Sequence, residues 1–183
     1  ALLEKEQNEL FDIQHFKNRI SENFEDVFND IFNENEFANS IFNKFNSHFS
    51  NEEWESVIYY GFKTLYPFYE IIHTGNKSEN KHGTDILIKF PGIIPEIQYA
   101  IAIQIKDYKG IIKEGKKVIE QIEKAKYWEN DNLKLIEKII LVTNSPKEKN
   151  LELIDNHNDV RFIFTEDLKQ ILLEIGKSYI GIA

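Results

Sequence analysis

The sequence predicts an α/β sandwich, in which a central mixed β-sheet lies between layers of helices. Short apolar runs bounded by breakers alternate with longer stretches whose apolar residues recur every three or four positions. Residues 138–145 (KIILVTNS) form a nearly pure apolar run, which is typical of a central strand covered on both faces. Residues 85–90 and 99–105 are two further apolar runs, and the turn-rich segment between them predicts a long hairpin.

The composition fits one folded domain of ordinary size. The chain has 183 residues, of which 42% are hydrophobic, and this is enough for a substantial core. It has no cysteine, so disulfides, cysteine-ligated zinc sites and cysteine nucleophiles are excluded. We expect a cytoplasmic protein, because no run is long enough to span a membrane and the start shows no secretory signal pattern.

The first 49 residues predict a helical extension, and we place the main domain at residues 50–183. Apolar residues in the extension fall three or four apart and line one face of two helices, the first long and the second short. They are Ile13, Phe16, Ile20, Phe24, Val27, Phe28 and Ile31, followed by Phe37, Ile41, Phe45 and Phe49. Such stripes usually pack into a core or an interface. The alternatives are a dimerisation arm, a partner-binding surface, or an acidic element that competes for the site.

The net charge of −9 is distributed unevenly along the chain. Residues 1–55 carry 13 acidic and 4 basic side chains, whereas the acids and bases of the remainder balance. Within that balanced part, residues 106–117 hold five lysines against two acids. A neutral domain with such a basic strip can bind phosphates, although strong non-specific binding to nucleic acid is not expected.

The main domain begins with a predicted helix and a predicted strand. Residues 50–53 (SNEE) form a capping box, and the helix should end near Tyr66 because a proline follows. Glu55 lies beside the buried stripe of this helix, not on it. An aromatic and β-branched run at 68–74 predicts the first strand, and a polar loop with two lysines follows it.

The second hairpin strand divides its side chains between two faces of the sheet. The face suited to a core carries Tyr99, Ile101, Ile103 and Ile105. The other face carries Ala100, Ala102, Gln104 and Lys106. An acid that opens the first hairpin strand, Asp85, would then lie beside the last two of these at one edge of the sheet.

Helices and strands alternate in the rest of the chain. The spacing of the apolar residues predicts a helix over 110–128, a short helix at 151–156, a strand at 160–164 and a final helix over 165–176. From residue 50 onward, the order is therefore helix, strand, strand, strand, helix, strand, helix, strand, helix.

Two short motifs in the hairpin carry a resemblance to a nuclease family. GTD at residues 83–85, followed across the hairpin by QIK at 104–106, resembles the motif of the PD-(D/E)xK nucleases. The match is closest to the Mrr-like restriction endonucleases, whose second acidic position is often Gln. The resemblance covers roughly residues 50–176. It implies a restriction-endonuclease-like three-layer sandwich with a central mixed β-sheet, preceded here by the N-terminal helical extension.

The resemblance also implies a catalytic metal site. Its catalytic residues would be Asp85, Gln104, Lys106 and Glu55, and the metal ligands among them would be Asp85, Gln104 and Glu55. Mrr-like enzymes carry a glutamate on the first helix of the domain; Glu55 matches it, with residues 52–53 as alternatives. Mg²⁺ is the expected ion, with Mn²⁺ as a substitute, because Mg²⁺ needs few carboxylates and keeps several of its own waters. The lysine would orient or deprotonate the attacking water.

Nucleic-acid contacts are expected from a second group of side chains. They are Lys77, Lys81, Lys109, Lys113, Lys117 and Gln121. The lysines can contact phosphates, and the glutamine stands where related nucleases often place a Gln or a basic residue facing the site. For each of them, an ordinary role at the protein surface is the alternative.

The leading hypothesis is a Mg²⁺-dependent DNA endonuclease of restriction or defence type. Double-stranded DNA is the expected partner and a homodimer the expected assembly, because two strands require two sites. One alternative is a catalytically inactive nuclease-fold module with a binding or immunity-like regulatory role, favoured by the acidic extension and by Gln104. The other is an RNA-cutting toxin on the same fold. The histidines show no metal-ligand spacing, and among them His82 is the one that is close to Asp85 in sequence.

Overall fold

The structure is a computed structural model, and it describes residues 34–74 and 82–179. The first long predicted helix, together with Lys77 and Lys81, lies outside these residues. The helices are α1 (Glu34–His48), α2 (Asn51–Leu65), α3 (Gly115–Ile122), α4 (Leu151–Asp155) and α5 (Thr165–Tyr179). The strands are β1 (Glu70–His73), β2 (Ile86–Pro91), β3 (Gln98–Lys109), β4 (Leu133–Asn144) and β5 (Arg161–Ile163).

The five strands form one mixed sheet in the order β1-β2-β3-β4-β5. The first three strands pair antiparallel, whereas β3, β4 and β5 pair parallel. The predicted hairpin is the β2–β3 pair, and the apolar β4 lies inside the sheet, between β3 and β5. From α2 onward, the predicted order of helices and strands is confirmed.

Apolar cores lie on both faces of this sheet. On one face, α1, α2 and α5 pack against alternate strand residues, and this core includes Phe42, Trp54, Ile58, Ile103, Ile105 and Leu168. On the other face α3 covers the sheet, and this core includes Leu87, Ala100, Ala102, Val118, Ile122 and Ile140. The three-layer α/β sandwich with a mixed sheet is therefore confirmed, and β3 alternates as predicted. None of the helices in residues 34–74 and 82–179 has both the length and the apolarity to cross a membrane.

The start of α2 shows the predicted capping box. The Ser50 side chain accepts a hydrogen bond from the Glu53 backbone N–H, and the Glu53 carboxylate accepts one from the Ser50 N–H at 2.7 Å. The hydrogen bond from the Ser50 backbone N–H, with a smaller contribution from the Ser50 side chain, holds the pKa of Glu53 below its ordinary value. The helix ends at Leu65, two residues before Pro67, because proline cannot continue a helix.

An aromatic cluster around Trp54 joins α2 to the preceding helix. The Trp54 ring centroid lies 6.2, 6.0 and 5.9 Å from those of Phe42, Phe45 and Phe49. Most of α1 thereby belongs to the compact unit Ala38–Ala183, together with the sheet. The dimer or partner contact predicted for the N-terminal extension concerns residues that lie mostly outside the described part of the chain, and it stays a prediction.

The start of the helix predicted over 110–128 is wrong. α3 begins only at Gly115, and residues 123–128 continue it as a 3₁₀ helix. Gly110 has a φ of +79°, and the Ile112 N–H donates to Asn150 Oδ1 at 2.9 Å. The backbone after β3 is therefore held by a side chain distant in sequence, and the local apolar spacing could not show this.

Candidate functional site

Asp85 is fixed at the edge where β2 begins and β3 approaches its end. The side chain is buried, with 3% of its surface exposed. Its backbone N–H donates to the Ile103 carbonyl at 2.8 Å, and its Oδ2 accepts from the Ile105 N–H at 2.6 Å. These two bonds join Asp85 to the residues on either side of Gln104. The acid and the carboxamide predicted to act together therefore lie at the same edge of the sheet.

A tight turn delivers the chain to Asp85. His82 and Gly83 both have positive φ, of 47° and 65°. A Cβ at position 83 would lie 1.8 Å from the backbone carbonyl oxygen of Gln121, so glycine is needed both for the conformation and for the close approach. Thr84 is fully buried, and its hydroxyl donates to the His82 carbonyl at 3.1 Å. The turn is thus packed directly against the end of α3.

Gln104 and Lys106 lie on the same face of β3. The register with β4 continues without a shift from Gln104, opposite Ile140, to Lys106, opposite Val142. Strand alternation then places both side chains on the α3 side of the sheet. Lys106 is half-buried, whereas only 4% of Gln104 is exposed.

The Gln104 carboxamide has a hydrogen-bond partner at one end only. Its Nε2 donates to Gln121 Oε1 at 3.2 Å. Its Oε1 is buried, and among the described residues no donor reaches it. A buried carbonyl oxygen without a partner costs free energy, of order 1–3 kcal/mol. A bound cation is one explanation of such a buried, unpartnered oxygen.

Glu55 is buried, unlike the neighbouring glutamates. Sequence spacing predicted that it lies beside the buried stripe of α2, yet only 7% of it is exposed, while Glu52 and Glu53 face solvent. Its Oε2 lies 3.3 Å from His73 Nε2. His73 pairs with Ile86 across the β1–β2 ladder and shares its face, which is the α2 side of the sheet. Glu55 and Gln104 therefore lie on opposite faces, and the metal-binding role of Glu55 stays a prediction.

His73 is a residue that the sequence reasoning missed. His82 had been singled out for its closeness to Asp85 in sequence, but His73 contacts the buried acid of α2. The next residue, Thr74, donates its backbone N–H to the Asp85 carbonyl at 3.0 Å. The feature that could have identified His73 from the sequence is its position at the end of β1, the strand that pairs with β2.

The basic strip after β3 is exposed but partly paired. Lys109, Lys113 and Lys117 all face solvent. Lys117 Nζ lies 3.2 Å from Glu114 Oε2, a contact between residues three apart. Exposed pairs of this kind are weak, so the lysine can exchange its partner for a phosphate at little cost.

The donor set at Asp85 suits a hard cation that keeps most of its own waters. Within residues 34–74 and 82–179, no three His, Asp or Glu side chains come together as a metal cluster. One buried carboxylate and one unpartnered amide oxygen remain, and both are the oxygen ligands that Mg²⁺ prefers. The residues present therefore fit Mg²⁺ or Mn²⁺ bound through few protein ligands.

The fold and the site define a class of molecule: an α/β sandwich with a carboxylate, a carboxamide and a lysine on neighbouring strands at one end of its sheet. No known family model matches the chain, and no curated protein matches it in sequence. Three solved structures are similar to it in fold. The MspJI restriction endonuclease in complex with a 27-mer oligonucleotide has a TM-score of 0.48 and 12% identity, over 81% of this chain and 33% of that one.

The second is the restriction endonuclease FokI, with a TM-score of 0.43 and 15% identity, over 73% of this chain and 26% of that one. The third is a repair endonuclease from Pyrococcus abyssi, with a TM-score of 0.36 and 10% identity, over 64% of this chain and 46% of that one. This chain spans less than half the length of each of these proteins. Likenesses at this level carry no argument about activity, which has to follow from the residues of the chain itself.

Proposed function

We propose that this chain is a metal-dependent endonuclease that hydrolyses phosphodiester bonds in DNA, of restriction or defence type. The observation that carries the proposal is the buried, unpartnered Oε1 of Gln104, on the strand to which Asp85 is bound through the two residues flanking that glutamine. A half-buried lysine, Lys106, follows on the same face. The motif resemblance to the Mrr-like nucleases points to the same three residues.

In this proposal, Asp85 and Gln104 hold Mg²⁺, or Mn²⁺ in its place. The ion supplies charge neutralisation and a water of lowered pKa. The hydrogen bond from Ile105 fixes the carboxylate, and the hydrogen bond to Gln121 holds the amide by its nitrogen. Groups held in this way would offer preorganised charge to a bound cation.

Lys106 acts on the attacking water and on the developing negative charge. It stands two residues after Gln104, so a group held by Gln104 lies within reach of its amine. An ammonium group near the phosphate stabilises the additional charge of the transition state, and an amine can accept a proton from the water. Glu55 is kept as the second acid in this proposal, and it contacts His73 on the opposite face of the sheet from Gln104.

Double-stranded DNA is the proposed substrate, bound by a homodimer in which each site cuts one strand. Lys109, Lys113 and Lys117 follow the site directly and would contact phosphates. The body of the chain beyond the acidic N-terminal third is electrically neutral, so binding should rest on a few local contacts. Affinity should then fall with salt, but only with the shallow slope that a few phosphate contacts give.

The direct test is cleavage of a supercoiled plasmid in Mg²⁺ or Mn²⁺. We expect nicked and linear DNA, none in EDTA, and loss of cleavage in Asp85→Ala and in Lys106→Ala. Asp155→Ala and Lys134→Ala remove the same charges from exposed positions on α4 and β4, and they should cut like the parent. Circular dichroism would show that all four variants are folded.

The same assay separates the alternatives. Absence of cutting on DNA and RNA alike would refute the enzyme and support a binding or regulatory module. Cutting of RNA in preference to DNA would support a toxin-type ribonuclease. Equal activity in parent and Asp85→Ala would show that any cleavage came from a contaminant.

A further inference from the structure

An aromatic cluster lies against the turn that leads to the candidate site, and neither the motif nor the fold accounts for it. Tyr127 and Trp128 end the 3₁₀ helix that follows α3. Their ring centroids lie 5.7 and 4.9 Å from that of His82. Trp128 Nε1 donates to the Thr84 hydroxyl at 3.1 Å. The cluster is thus attached to the residue immediately before Asp85.

The backbone at His82 is strained. A φ of +47° is uncommon for a residue with a Cβ, and it persists only where the surroundings hold it. Here the edge-on contact with Trp128 and the hydrogen bond from the Thr84 hydroxyl to the His82 carbonyl hold it. The strained turn thus fixes the imidazole ring of His82 beside the exposed phenol ring of Tyr127. Strain of this kind is common at ligand clamps.

Exposure distinguishes the members of the cluster. Tyr127 leaves 63% of its surface in solvent, whereas His82 and Trp128 are half-buried. Trp128 therefore supports the cluster from within, and Tyr127 leaves most of its ring in solvent. A large exposed ring is suited to stacking on a flat ligand.

Two exposed lysines lie near this ring. Lys126 Nζ lies 5.4 Å from the Tyr127 ring centroid, and Lys124 is exposed nearby in the chain. Of the neighbouring acids, Glu123 lies 2.5 Å from Lys138 Nζ, and Glu129 accepts the Leu135 N–H at 3.0 Å. An exposed aromatic ring with a lysine against it can bind a nucleotide, which joins a flat base to a phosphate.

We propose that Tyr127, with His82 and Lys126, forms a stacking site for one DNA base held out of the duplex next to the phosphate that is cut. The inference rests on the proposed nuclease function, because that function places a DNA strand at Asp85. A base that is already unpaired costs less to take out of the stack. The chain should therefore bind and cut preferentially where a base is unpaired.

Binding in EDTA tests the stacking site without any cleavage. The probes are a labelled duplex that is fully paired and the same duplex with one bulged nucleotide, followed by fluorescence anisotropy with the full chain. We expect the bulged duplex to bind at least about fivefold more tightly, the lower range for one stacked base. Tyr127→Ala should remove this preference, and Tyr127→Phe should keep it.

Tyr60→Ala is the matched control, because Tyr60 on α2 is a tyrosine of nearly equal exposure, 60%. It should leave the preference intact. Equal affinity of the parent for the two duplexes, or an unchanged preference in Tyr127→Ala, would overturn the stacking site. A parent that prefers the bulge in EDTA but never cuts with Mg²⁺ would retain the stacking site and refute the nuclease.

Discussion

Gln104 and Asn150 are both carboxamides with 4% of their surface exposed, but their hydrogen bonding differs. Asn150 Oδ1 accepts the Ile112 N–H at 2.9 Å, and its Nδ2 donates to Ser145 Oγ and to the Pro146 carbonyl, both at 2.8 Å. Gln104 has a partner for its Nε2 and, within the described residues, none for its Oε1. Equal burial therefore accompanies two different roles.

The difference between the two amides separates folding from function. The amide at Asn150 ties the segment after β3 to the loop after β4, and every bond it makes stabilises the fold. The unpartnered oxygen at Gln104 destabilises the fold, and such a group is usually retained because something else binds it. The described residues contain one further atom of this kind, Trp54 Nε1, which lies among the phenylalanine rings of α1 and for which we have no physical account.

Replacing Gln104 by leucine should give the largest functional effect. Gln104→Leu removes the proposed ligand oxygen, so cleavage should fall about 100-fold or more, at or beyond the upper end for groups around a metal. Its stability should change little, because the substitution removes a buried unpaired carbonyl but also the hydrogen bond from Nε2 to Gln121 Oε1. Plasmid cleavage and urea unfolding, measured on the same samples, check both parts.

Gln104→Glu sharpens the same comparison. It restores the acid of the commoner family pattern, so Mn²⁺ should bind more tightly in calorimetry. Without metal, the new carboxylate beside Asp85 should lower stability, because two like charges then lie close together in a buried place. Full cleavage in Gln104→Leu, or unchanged Mn²⁺ affinity in Gln104→Glu, would speak against the ligand role of this position.

Replacing Asn150 should affect stability more than cleavage, the opposite of what we expect at Gln104. Asn150→Ala leaves the Ile112 N–H without a partner and removes one of the hydrogen bonds that the Pro146 carbonyl accepts, so it should cost about 1–3 kcal/mol of unfolding free energy. Cleavage per folded molecule should stay close to that of the parent. Urea unfolding of this variant beside Asn158→Ala, an exposed asparagine, gives the measurement and its control. Equal stability of the two variants would show that the bonds of Asn150 are not structural.

The smallest effect is expected where charges are paired near the surface. Lys138 Nζ lies 2.5 Å from Glu123 and 2.9 Å from Asp159. The hydrogen bond from Lys138 lowers the pKa of Asp159 below its ordinary value of 3.8. The ion pair between Lys138 and Asp159 therefore stabilises the fold above pH 3.8. This contribution is lost as the pH falls through the lowered pKa of Asp159.

Asp159→Asn should accordingly lower stability at neutral pH, by less than about 1 kcal/mol because the group is largely exposed. The difference from the parent should shrink as the pH falls below 3.8 and vanish below the lowered pKa, where the carboxyl is protonated in both states. Thermal unfolding across this pH range checks it, with Asp155→Asn as a variant without this ion pair. A difference that grows on acidification would contradict the assignment.

The sequence alone determined the framework of this protein. Strand periodicity assigned Gln104 and Lys106 to one face of β3, and a nearly pure apolar run placed β4 inside the sheet. These predictions succeeded because they depend on neighbours two to four residues apart, whose alternation reflects burial directly. The capping box at Ser50 succeeded for the same reason.

Tertiary structure decided what each of those side chains contacts. Sequence spacing gave no sign that Glu55 would be buried against His73, or that the oxygen of Gln104 would be left without a donor. Sequence spacing also predicted a helix where the backbone is instead held by a hydrogen bond to Asn150, a residue distant in sequence. Contacts of this kind join residues that are distant in sequence, so they depend on how the elements pack, and local patterns carry no record of them.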